Sequence, residues 1–206
     1  MHVFLLNGSP RKDGCTFTAL SEVAGALEKH GITTEIFQLG TQPVRGCIDC
    51  GACRKTGRCA FDDTANIVLE KMAAADGIVI GSPVYYGSAN GSLTALLDRV
   101  FFAGCSRFSH KPGASIVSAR RAGTTASLDQ LNRYFMLAHM PVVSSQYWNM
   151  VHGMNPDEVR QDREGLQTMR MLGDNMAWLL QCIAAGQQNG IVPPAPQERD
   201  WTNFIH

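Results

Sequence analysis

The sequence predicts an α/β protein in which helices cover both faces of a parallel β-sheet. Short apolar runs, typical of strands that are buried on both faces, recur along the chain. Amphipathic patterns with the 3.6-residue period of a helix separate these runs. Because each intervening helix carries the chain back to the same end of the sheet, strands that alternate with helices pair in parallel.

Five segments have the composition of strands. The first and third are continuous apolar runs, and the second alternates apolar with polar residues. Gly, Pro, Ser and Asp at their ends are typical turn residues. The five predicted strands are 3–6, 34–39, 77–81, 114–118 and 141–146. The segment 82–91 is expected to be a loop.

Helical patterns fill most of the intervening chain. Asp62 or Asp63 is placed to cap the helix that ends near residue 75, and Ile67 is expected to face the core from that helix. Asn155 followed by Pro156 is a strong start signal for the last helix, which is expected to bend at one of its first two glycines. The predicted helices are 16–30, 62–75, 92–103, 125–138 and 155–185.

Composition excludes several classes of protein. The 206 residues suffice for one substantial domain, and 18 Lys and Arg balance 18 Asp and Glu, which argues against a nucleic-acid binder. No apolar stretch approaches the ~18 residues of a membrane span, and the N-terminus lacks the features of a signal peptide. We therefore expect a cytoplasmic protein that acts away from membranes and nucleic acids.

Segment 7–16 has the features of a phosphate-binding loop. It reads Asn-Gly-Ser-Pro-Arg-Lys-Asp-Gly-Cys-Thr and lies between a predicted strand and a predicted helix. The start of a helix offers unpaired amides and the positive end of a dipole. Ser9 and Thr16 add hydroxyl groups. Arg11 adds a guanidinium that can donate two hydrogen bonds to one phosphate, and Gly14 permits a tight turn. The alternative is an ordinary turn with a solvated arginine.

Two further loops follow predicted strands at the same edge of the sheet. Segment 82–87, Ser-Pro-Val-Tyr-Tyr-Gly, offers the flat, rigid and half-apolar wall that a planar heterocycle needs, although Tyr85 and Tyr86 could equally be core residues. Gly123 and residues 119–122 can bring backbone amides to the edge of such a ring. No Gly-x-Gly-x-x-Gly or Walker A pattern is present, so these loops suit a mononucleotide.

Four of the seven cysteines form a compact motif, Cys-x2-Cys-x2-Cys-x5-Cys. Thiolates at this spacing can ligate one iron–sulfur cluster from a tight loop. The same four thiolates could instead form a closed zinc site, or they could be free or oxidised. The motif consists of Cys47, Cys50, Cys53 and Cys59. Cys105 and Cys182 lie in apolar patterns and are expected to be buried.

These motifs together resemble a known family. Segments 7–11 and 82–87, the triplet Leu97-Asp98-Arg99 and the tail from Trp201 to Ile205 resemble the NAD(P)H-dependent FMN reductases of flavodoxin-like fold. The cysteine spacing resembles that of the iron–sulfur flavoproteins within this family. The resemblance spans essentially the whole chain. It implies a flavodoxin-like, doubly wound, five-stranded parallel sheet in the order 2-1-3-4-5, with helices on both faces.

The resemblance also implies cofactors and the residues that hold them. Bound FMN is expected, together with one [4Fe–4S] cluster on the four motif cysteines. Arg120 and Arg121 are expected to be a solvated pair in the third loop, and the alternative is that Arg120 meets a nucleotide phosphate or a neighbouring subunit. The residues assigned to FMN are Ser9, Arg11, Gly14, Cys15 and Thr16 at the phosphate, Pro83, Val84, Tyr85, Tyr86 and Gly87 along the ring, and Ala119, Arg120 and Gly123 in the third loop.

The expected activity is that of an FMN-dependent oxidoreductase. NAD(P)H would reduce the flavin, which would pass electrons to free flavin, a quinone or a similar acceptor. Because the cofactor carries this chemistry, no catalytic side chain is assigned. The alternatives are an iron–sulfur flavoprotein that accepts electrons from ferredoxin and a redox sensor acting through its thiols.

The resemblance further predicts how the chain is organised. It implies a homo-oligomer, a dimer or tetramer, in which the flavin lies near a subunit interface. Residues 1–188 are expected to form the FMN-binding domain, with a cysteine-rich insertion at 43–61. Three prolines should extend the tail, 189–206, which would pack on the domain or on a partner subunit through Trp201 and Phe204.

Overall fold

The computed structural model of the chain, which describes residues 1–198 and 200–202, contains one sheet built on five parallel strands. These strands are β1 (His2–Asn7), β2 (Thr33–Gln38), β3 (Gly77–Tyr85), β5 (Gly113–Ala119) and β6 (Met150–His152). A two-residue strand, β4 (Ser88–Ala89), pairs antiparallel with the end of β3. The five parallel strands lie in the order β2-β1-β3-β5-β6, which confirms the order that the resemblance implied.

Helices cover both faces of this sheet, as expected. They are α1 (Cys15–Lys29), α2 (Ala52–Thr56), α3 (Thr64–Ala74), α4 (Gly91–Phe108), α5 (Thr124–Leu137), α6 (Pro156–Gln161) and α7 (Arg163–Gln188). Helices α1 and α7 pack on one face, and α3, α4 and α5 pack on the other. No helix among the described residues is long and apolar enough to cross a membrane.

Strand β1 shows why the apolar runs are continuous. Val3 and Leu5 point to the face covered by α1 and α7, whereas Phe4 and Leu6 point to the face covered by α3 and α4. All four side chains are fully buried. A strand with helices on both sides needs apolar residues at every position, so the alternation typical of a half-exposed strand is lost.

Strand β3 extends four residues beyond its predicted end. Its pairing with β1 stops at Gly81, but its pairing with β5 continues through Pro83. Because β1 has ended there, the missing amide of Pro83 breaks no hydrogen bond on that side. The expected loop 82–91 is therefore largely a hairpin. Its two-residue turn, Tyr86 and Gly87, has positive φ angles of 52° and 74°, as a type I′ turn requires.

The prediction of the fifth strand at 141–146 is wrong. Only Val142 in that segment makes a bridge to β5, opposite Gly113, and the paired strand comes later, at β6. Asn149 accounts for the difference. Its side-chain amide donates to the Ser115 carbonyl at 3.1 Å, and its backbone carbonyl accepts from the Val117 amide at 3.0 Å. The chain thus leaves the edge of the sheet and returns through a polar contact that the apolar pattern did not reveal.

The predicted last helix is two helices that meet at Asp162. One carboxylate oxygen of Asp162 accepts from the Gly165 amide at 2.9 Å and caps α7, while the other accepts from the His152 amide at 2.7 Å. The interruption therefore lies at Asp162 and not at a glycine. After α7 the described residues form no further helix or strand, and Trp201 is exposed. Phe204, the other predicted packing residue of the tail, lies outside the described residues.

Helices α1 and α7 pack closely because Gly173 has no side chain. A Cβ atom at Gly173 would lie 2.6 Å from the Cβ of Ala26 and 2.8 Å from the Val23 carbonyl oxygen. An ion pair between Arg170 and Glu22, at 2.9 Å, links the same two helices. Gly173 therefore sets the distance between α1 and α7.

Gly173→Ala should destabilise the protein by roughly 1–3 kcal/mol, because the added methyl group forces two packed helices apart. The matched control is Gly25→Ala in α1, where an added Cβ would have no neighbour within 4 Å. That change should stabilise the protein by up to about 1 kcal/mol through helix propensity. Urea unfolding of both variants measures the difference, and equal effects would contradict this account of Gly173.

Candidate functional site: two adjoining centres at the carboxyl edge of the sheet

A single set of hydrogen bonds joins the carboxyl ends of β1 and β3. The Gly8 amide donates to the Gly81 carbonyl at 2.8 Å. The Asn90 side chain donates to the Gly8 carbonyl at 2.7 Å and accepts from the Ser92 amide at 3.0 Å, which caps α4. The Asn90 amide in turn donates to the Ser82 hydroxyl at 2.9 Å. The loop after β1, the hairpin after β3 and the start of α4 therefore hold one another in place.

The loop after β1 is held in shape from within. Asn7 accepts from the Ser9 amide at 3.1 Å and donates to the Lys12 carbonyl at 3.3 Å. Gln38, at the end of β2, donates to the Ser9 carbonyl at 2.6 Å. The Ser9 hydroxyl oxygen accepts from the Arg11 amide at 3.1 Å, which leaves its own proton available for another acceptor. These hydrogen bonds fix the shape of the turn from within the chain.

Helix α1 begins with its first amides uncapped. Its N-cap is Gly14, and no side chain of the described residues caps it. The Thr16 hydroxyl lies 2.8 Å from the Ser118 hydroxyl at the end of β5, so this side chain fixes the helix against the sheet instead of capping it. The Arg11 side chain is exposed and makes no ion pair within the described residues. Uncapped amides at a helix start and an unpaired guanidinium are both groups that bind anions in proteins.

Cys15 joins this loop to the last strand. Its thiol donates to the Gly153 carbonyl at 3.6 Å, and the Gly153 amide donates to the Ala119 carbonyl at 3.0 Å. Burial raises the pKa of the Cys15 thiol, although a backbone hydrogen bond and the charge of Arg11 act in the opposite direction. The residue is therefore a neutral thiol in the wall of the loop at ordinary pH.

The hairpin after β3 and the loop after β5 touch each other. A Cβ atom at Gly123, where φ is 92°, would lie 2.7 Å from the Cα of Gly87 and 3.0 Å from a methyl group of Val84. Pro83 and Val84 are half-buried, whereas Arg120 is exposed. A side chain at Gly123 would collide with the hairpin, so the close contact of these two loops requires glycine at that position.

Two tyrosines project from the hairpin. Tyr85 is about half exposed, and Tyr86 is fully exposed although it occupies a left-handed backbone conformation. A large aromatic residue in that conformation costs about 1–2 kcal/mol relative to an extended one. Such strain without compensating packing is typical of a residue that is held for a contact outside its own chain segment.

The four motif cysteines line one pocket, which is partly open to solvent. Cys47 and Cys50 are exposed, and Cys53 and Cys59 are half-buried. Burial raises the pKa of the Cys53 thiol, a backbone hydrogen bond partly offsets this, and charge on the other three cysteines raises it further. All four cysteines line this one pocket, so their thiols face the same concavity. Cys182, in contrast, is exposed, so its predicted burial is wrong.

The sulfur atoms do not converge on one point. Among the described residues, no group of three or more His, Cys, Asp or Glu side chains is placed to hold a single metal ion. A tetrahedral zinc site needs such convergence. In a four-iron cluster each thiolate binds a different iron atom, so four soft ligands around a pocket suit that group.

Asn66 fixes the backbone of Cys59. Its side chain accepts from the Cys59 amide at 2.9 Å and donates to the carbonyls of Cys59 and Phe61 at 3.0 and 3.1 Å. Asn66 therefore occupies a buried position on α3, and Ile67 is 52% exposed. The prediction that Ile67 faces the core is wrong, because a polar anchor takes the position next to it. The predicted cap at Asp63 is confirmed, since it accepts from the Ala65 amide at 3.0 Å.

Arg99 on α4 fixes the sulfur of Cys59. Its side chain is buried, and Nε donates to the Cys59 sulfur at 3.2 Å. The two terminal nitrogens make a bidentate pair with Asp63 at 2.9 and 2.7 Å and reach the carbonyls of Arg45 and Phe61 at 3.2 and 3.5 Å. Although burial lowers the pKa of Arg99, hydrogen bonds to Asp63 and Cys59 outweigh it and raise that pKa overall.

The structure thus gathers the predicted residues into two centres. The three loops assigned to FMN meet at the ends of β1, β3 and β5, and the four cysteines lie beside α4. Sequence reasoning missed the polar side chains that build these centres, Asn7, Gln38, Asn66, Asn90 and the buried Arg99. One signal was available for Arg99, since it belongs to the triplet Leu97-Asp98-Arg99 that carries part of the family resemblance.

Comparison with known proteins agrees with this geometry. The sequence profile of the NADPH-dependent FMN reductase family matches residues 1–155. An iron–sulfur flavoprotein from Methanocaldococcus jannaschii is 33% identical over 195 residues, which cover 89% of this chain and 99% of that protein. This similarity includes the whole cysteine segment.

Solved structures show the same fold. A flavodoxin from the domain Archaea superposes with a TM-score of 0.61 at 14% identity, covering 88% of this chain and 99% of the other. An NAD(P)H:quinone oxidoreductase from Methanothermobacter marburgensis gives a TM-score of 0.62 at 20% identity, covering 85% and 98% of the two chains. The fold is therefore flavodoxin-like, and the chain belongs to the NADPH-dependent FMN reductase family, a family of flavoprotein oxidoreductases.

Proposed function

We propose that this protein binds FMN and one [4Fe–4S] cluster in the same chain and transfers electrons between them. The observation that carries the proposal is the pocket of four cysteines in which one thiol is already held by a buried arginine. This contact places a positive charge beside one of the four sulfur atoms, where the negative charge of a cluster would lie. The flavin is supported by the family to which the chain belongs.

The phosphate of FMN fits the start of α1. The uncapped amides of the first turn, the Ser9 hydroxyl proton and the Arg11 guanidinium all offer donors to one anion. The ring then extends along the touching loops, where Gly123 allows the backbone of one loop to approach the other closely. Tyr86 supplies an exposed aromatic face at the edge of that space.

The cluster fits the cysteine pocket by the chemistry of its donors. Four thiols surround one concavity, and Phe61 and Phe102 form part of its wall. Apolar walls limit the access of water, which stabilises a cluster against hydrolysis and tunes its potential. Cys59 is the preformed ligand, and the other three lie on the segment that would close around the cluster.

The protein's own residues bind, orient and shield these groups. When bound, FMN can exchange electrons singly or in pairs, whereas the cluster exchanges them singly. The α1 amides hold the phosphate end, and the hairpin and the loop after β5 orient the ring. This division requires no acid or base from the chain. It suits a protein that converts between two-electron and one-electron carriers.

Two electron donors are compatible with this design. A one-electron donor such as ferredoxin would suit the exposed cysteine segment, which we propose as its docking region. The match to the NADPH-dependent FMN reductase profile favours NAD(P)H instead, with a quinone or a free flavin as acceptor. Anaerobic oxidation of NADPH and NADH separates the two. Rapid oxidation supports the reductase, and no oxidation by a cluster-loaded protein supports the carrier.

We also propose that the protein works as a homo-oligomer. Several large apolar side chains are exposed in the single chain, and Tyr147 and Trp148 contact each other edge to face with their ring centres 4.9 Å apart. Exposed apolar groups of this kind are typical of protein interfaces. Sedimentation of the holoprotein tests the proposal, and a monomer at micromolar concentration would contradict it.

Arg11→Ala should weaken FMN binding by roughly 1.5–3 kcal/mol, the range for a charge-assisted hydrogen bond. Titration of the apoprotein with FMN, followed by flavin fluorescence, gives the dissociation constant. Arg107→Ala is the matched control, because it removes the same charge from an exposed pair with Glu70 at the far end of α4. An unchanged constant for Arg11→Ala would exclude this role.

Tyr86→Asn should stabilise the apoprotein by about 0.5–1 kcal/mol and weaken FMN binding at the same time. Asparagine followed by glycine is the preferred pair for a type I′ turn, so the backbone strain is relieved. The lost aromatic face would remove a contact with the ring. Urea unfolding and FMN titration measure the two effects. Greater stability with unchanged affinity would show that Tyr86 does not touch the flavin.

Anaerobic reconstitution with iron and sulfide should give about four irons per chain. Cys53→Ser should lower this occupancy sharply, because it removes a ligand from the middle of the motif. Cys182→Ser, at an exposed position on α7, should leave the iron occupancy unchanged. Both variants should bind FMN normally. A wild-type protein that takes up no iron would contradict the cluster and leave a plain FMN reductase.

A further inference from the structure

Arg99 is unusual among the charged residues of this chain because its charge is buried and its donors are fully used. Only 2% of the residue is exposed. A guanidinium has five N–H groups, and here one faces the Cys59 sulfur, two face Asp63 and two face backbone carbonyls. The side chain cannot rotate without leaving several buried groups unpaired, so its position is fixed.

This fixed position matters because Arg99 has an electrostatic effect on its neighbours as well as a structural one. A positive charge in a poorly solvated site interacts strongly with any negative charge beside it. Reduction adds one negative charge to a cluster, and hydrogen bonds to the ligating sulfur atoms stabilise the reduced form. Arg99 supplies both a charge and a hydrogen bond to the same sulfur.

We propose that Arg99 is a positioning residue that raises the reduction potential of the cluster by donating Nε–H to the Cys59 sulfur from a buried, fully paired guanidinium. This inference rests on the proposed function, since it assigns a role toward the cluster in that pocket. It goes beyond that function because it states which residue sets the potential, and in which direction.

A second arginine on the same helix provides an internal comparison. Arg107 makes a bidentate pair with Glu70 on α3, at 2.9 and 2.7 Å, just as Arg99 does with Asp63. Both pairs join α4 to α3. Arg107 is exposed to solvent and does not line the cysteine pocket. If the two arginines serve only to hold these helices together, their removal should have similar consequences for the cluster.

Asp63 gives a test with the opposite sign. Its carboxylate offsets the charge of Arg99 and lies on the side of the guanidinium away from Nε. Asp63→Asn removes that negative charge but retains a side chain that caps α3 well. The charge of Arg99 would then act on the cluster without a counter-charge. Because Asp63 is partly exposed, solvent screens its effect, and the shift should be smaller than that of Arg99.

The experiment uses the reconstituted holoprotein with FMN bound. The variants are Arg99→Gln, Arg99→Lys, Asp63→Asn and the control Arg107→Gln. Iron content is measured first, and the cluster is then titrated with dithionite in the presence of mediators and followed by EPR of the reduced state. The readout is the midpoint potential of the cluster, which is independent of turnover.

Arg99→Gln should lower the equilibrium constant for one-electron reduction roughly tenfold, a shift of about 59 mV to more negative potential. Arg99→Lys, which keeps a charge but cannot reproduce the fork, should shift the potential in the same direction by less. Asp63→Asn should shift it to more positive values, and Arg107→Gln should leave it unchanged.

The outcomes separate this inference from the proposal beneath it. A wild-type protein without iron overturns both. If the wild-type protein holds the cluster but Arg99→Gln and Arg99→Lys have the same midpoint potential as the wild type, the role of Arg99 alone is overturned. Shifts of the same sign in Asp63→Asn and in the Arg99 variants would show a structural disturbance and also overturn it. If Arg99→Gln does not fold, the opposite shifts of Arg99→Lys and Asp63→Asn decide the question.

Discussion

The side-chain amide of Asn90 holds together the three segments on which both centres depend. It donates to the carbonyl of Gly8 at the end of β1 and caps α4, while its backbone amide binds Ser82 in β3. The loops assigned to FMN are therefore fixed to the same residue as the start of the helix that carries Arg99. Because α4 is a rigid element, the distance between the phosphate loop and the cysteine pocket is set by the number of turns from Asn90 to Arg99.

Most of the fold could be predicted from apolar periodicity, and the errors have local polar causes. Strands β1, β3 and β5 follow buried apolar runs, and β2 follows an alternating pattern. The fifth strand could not be located, because its position depends on Asn149 pairing with β5 and not on an apolar run. The full length of β3 could not be predicted either, because a proline such as Pro83 normally ends a strand. Here its missing amide costs no hydrogen bond, since the pairing of β3 with β1 has already ended at Gly81.

The candidate site was predictable where motifs carry the chemistry and unpredictable where side chains support it. The phosphate loop and the cysteine spacing can be read directly from the sequence. The contacts of Asn66 and Arg99 with Cys59 join residues that are distant in sequence, and no local pattern specifies them. Asp63 was recognised as a cap, but its second role as the partner of Arg99 exists only in three dimensions.

The cysteine segment lies outside the sheet and contributes little to the two cores, apart from Val44 and neighbouring Leu39. Natural selection can therefore change this segment without rebuilding the flavin loops. A descendant that lost all four thiols would still fold, and Asp63 would continue to neutralise the buried Arg99. In a chain without the four cysteines, the buried pair of Arg99 with Asp63 would serve only to join α3 to α4.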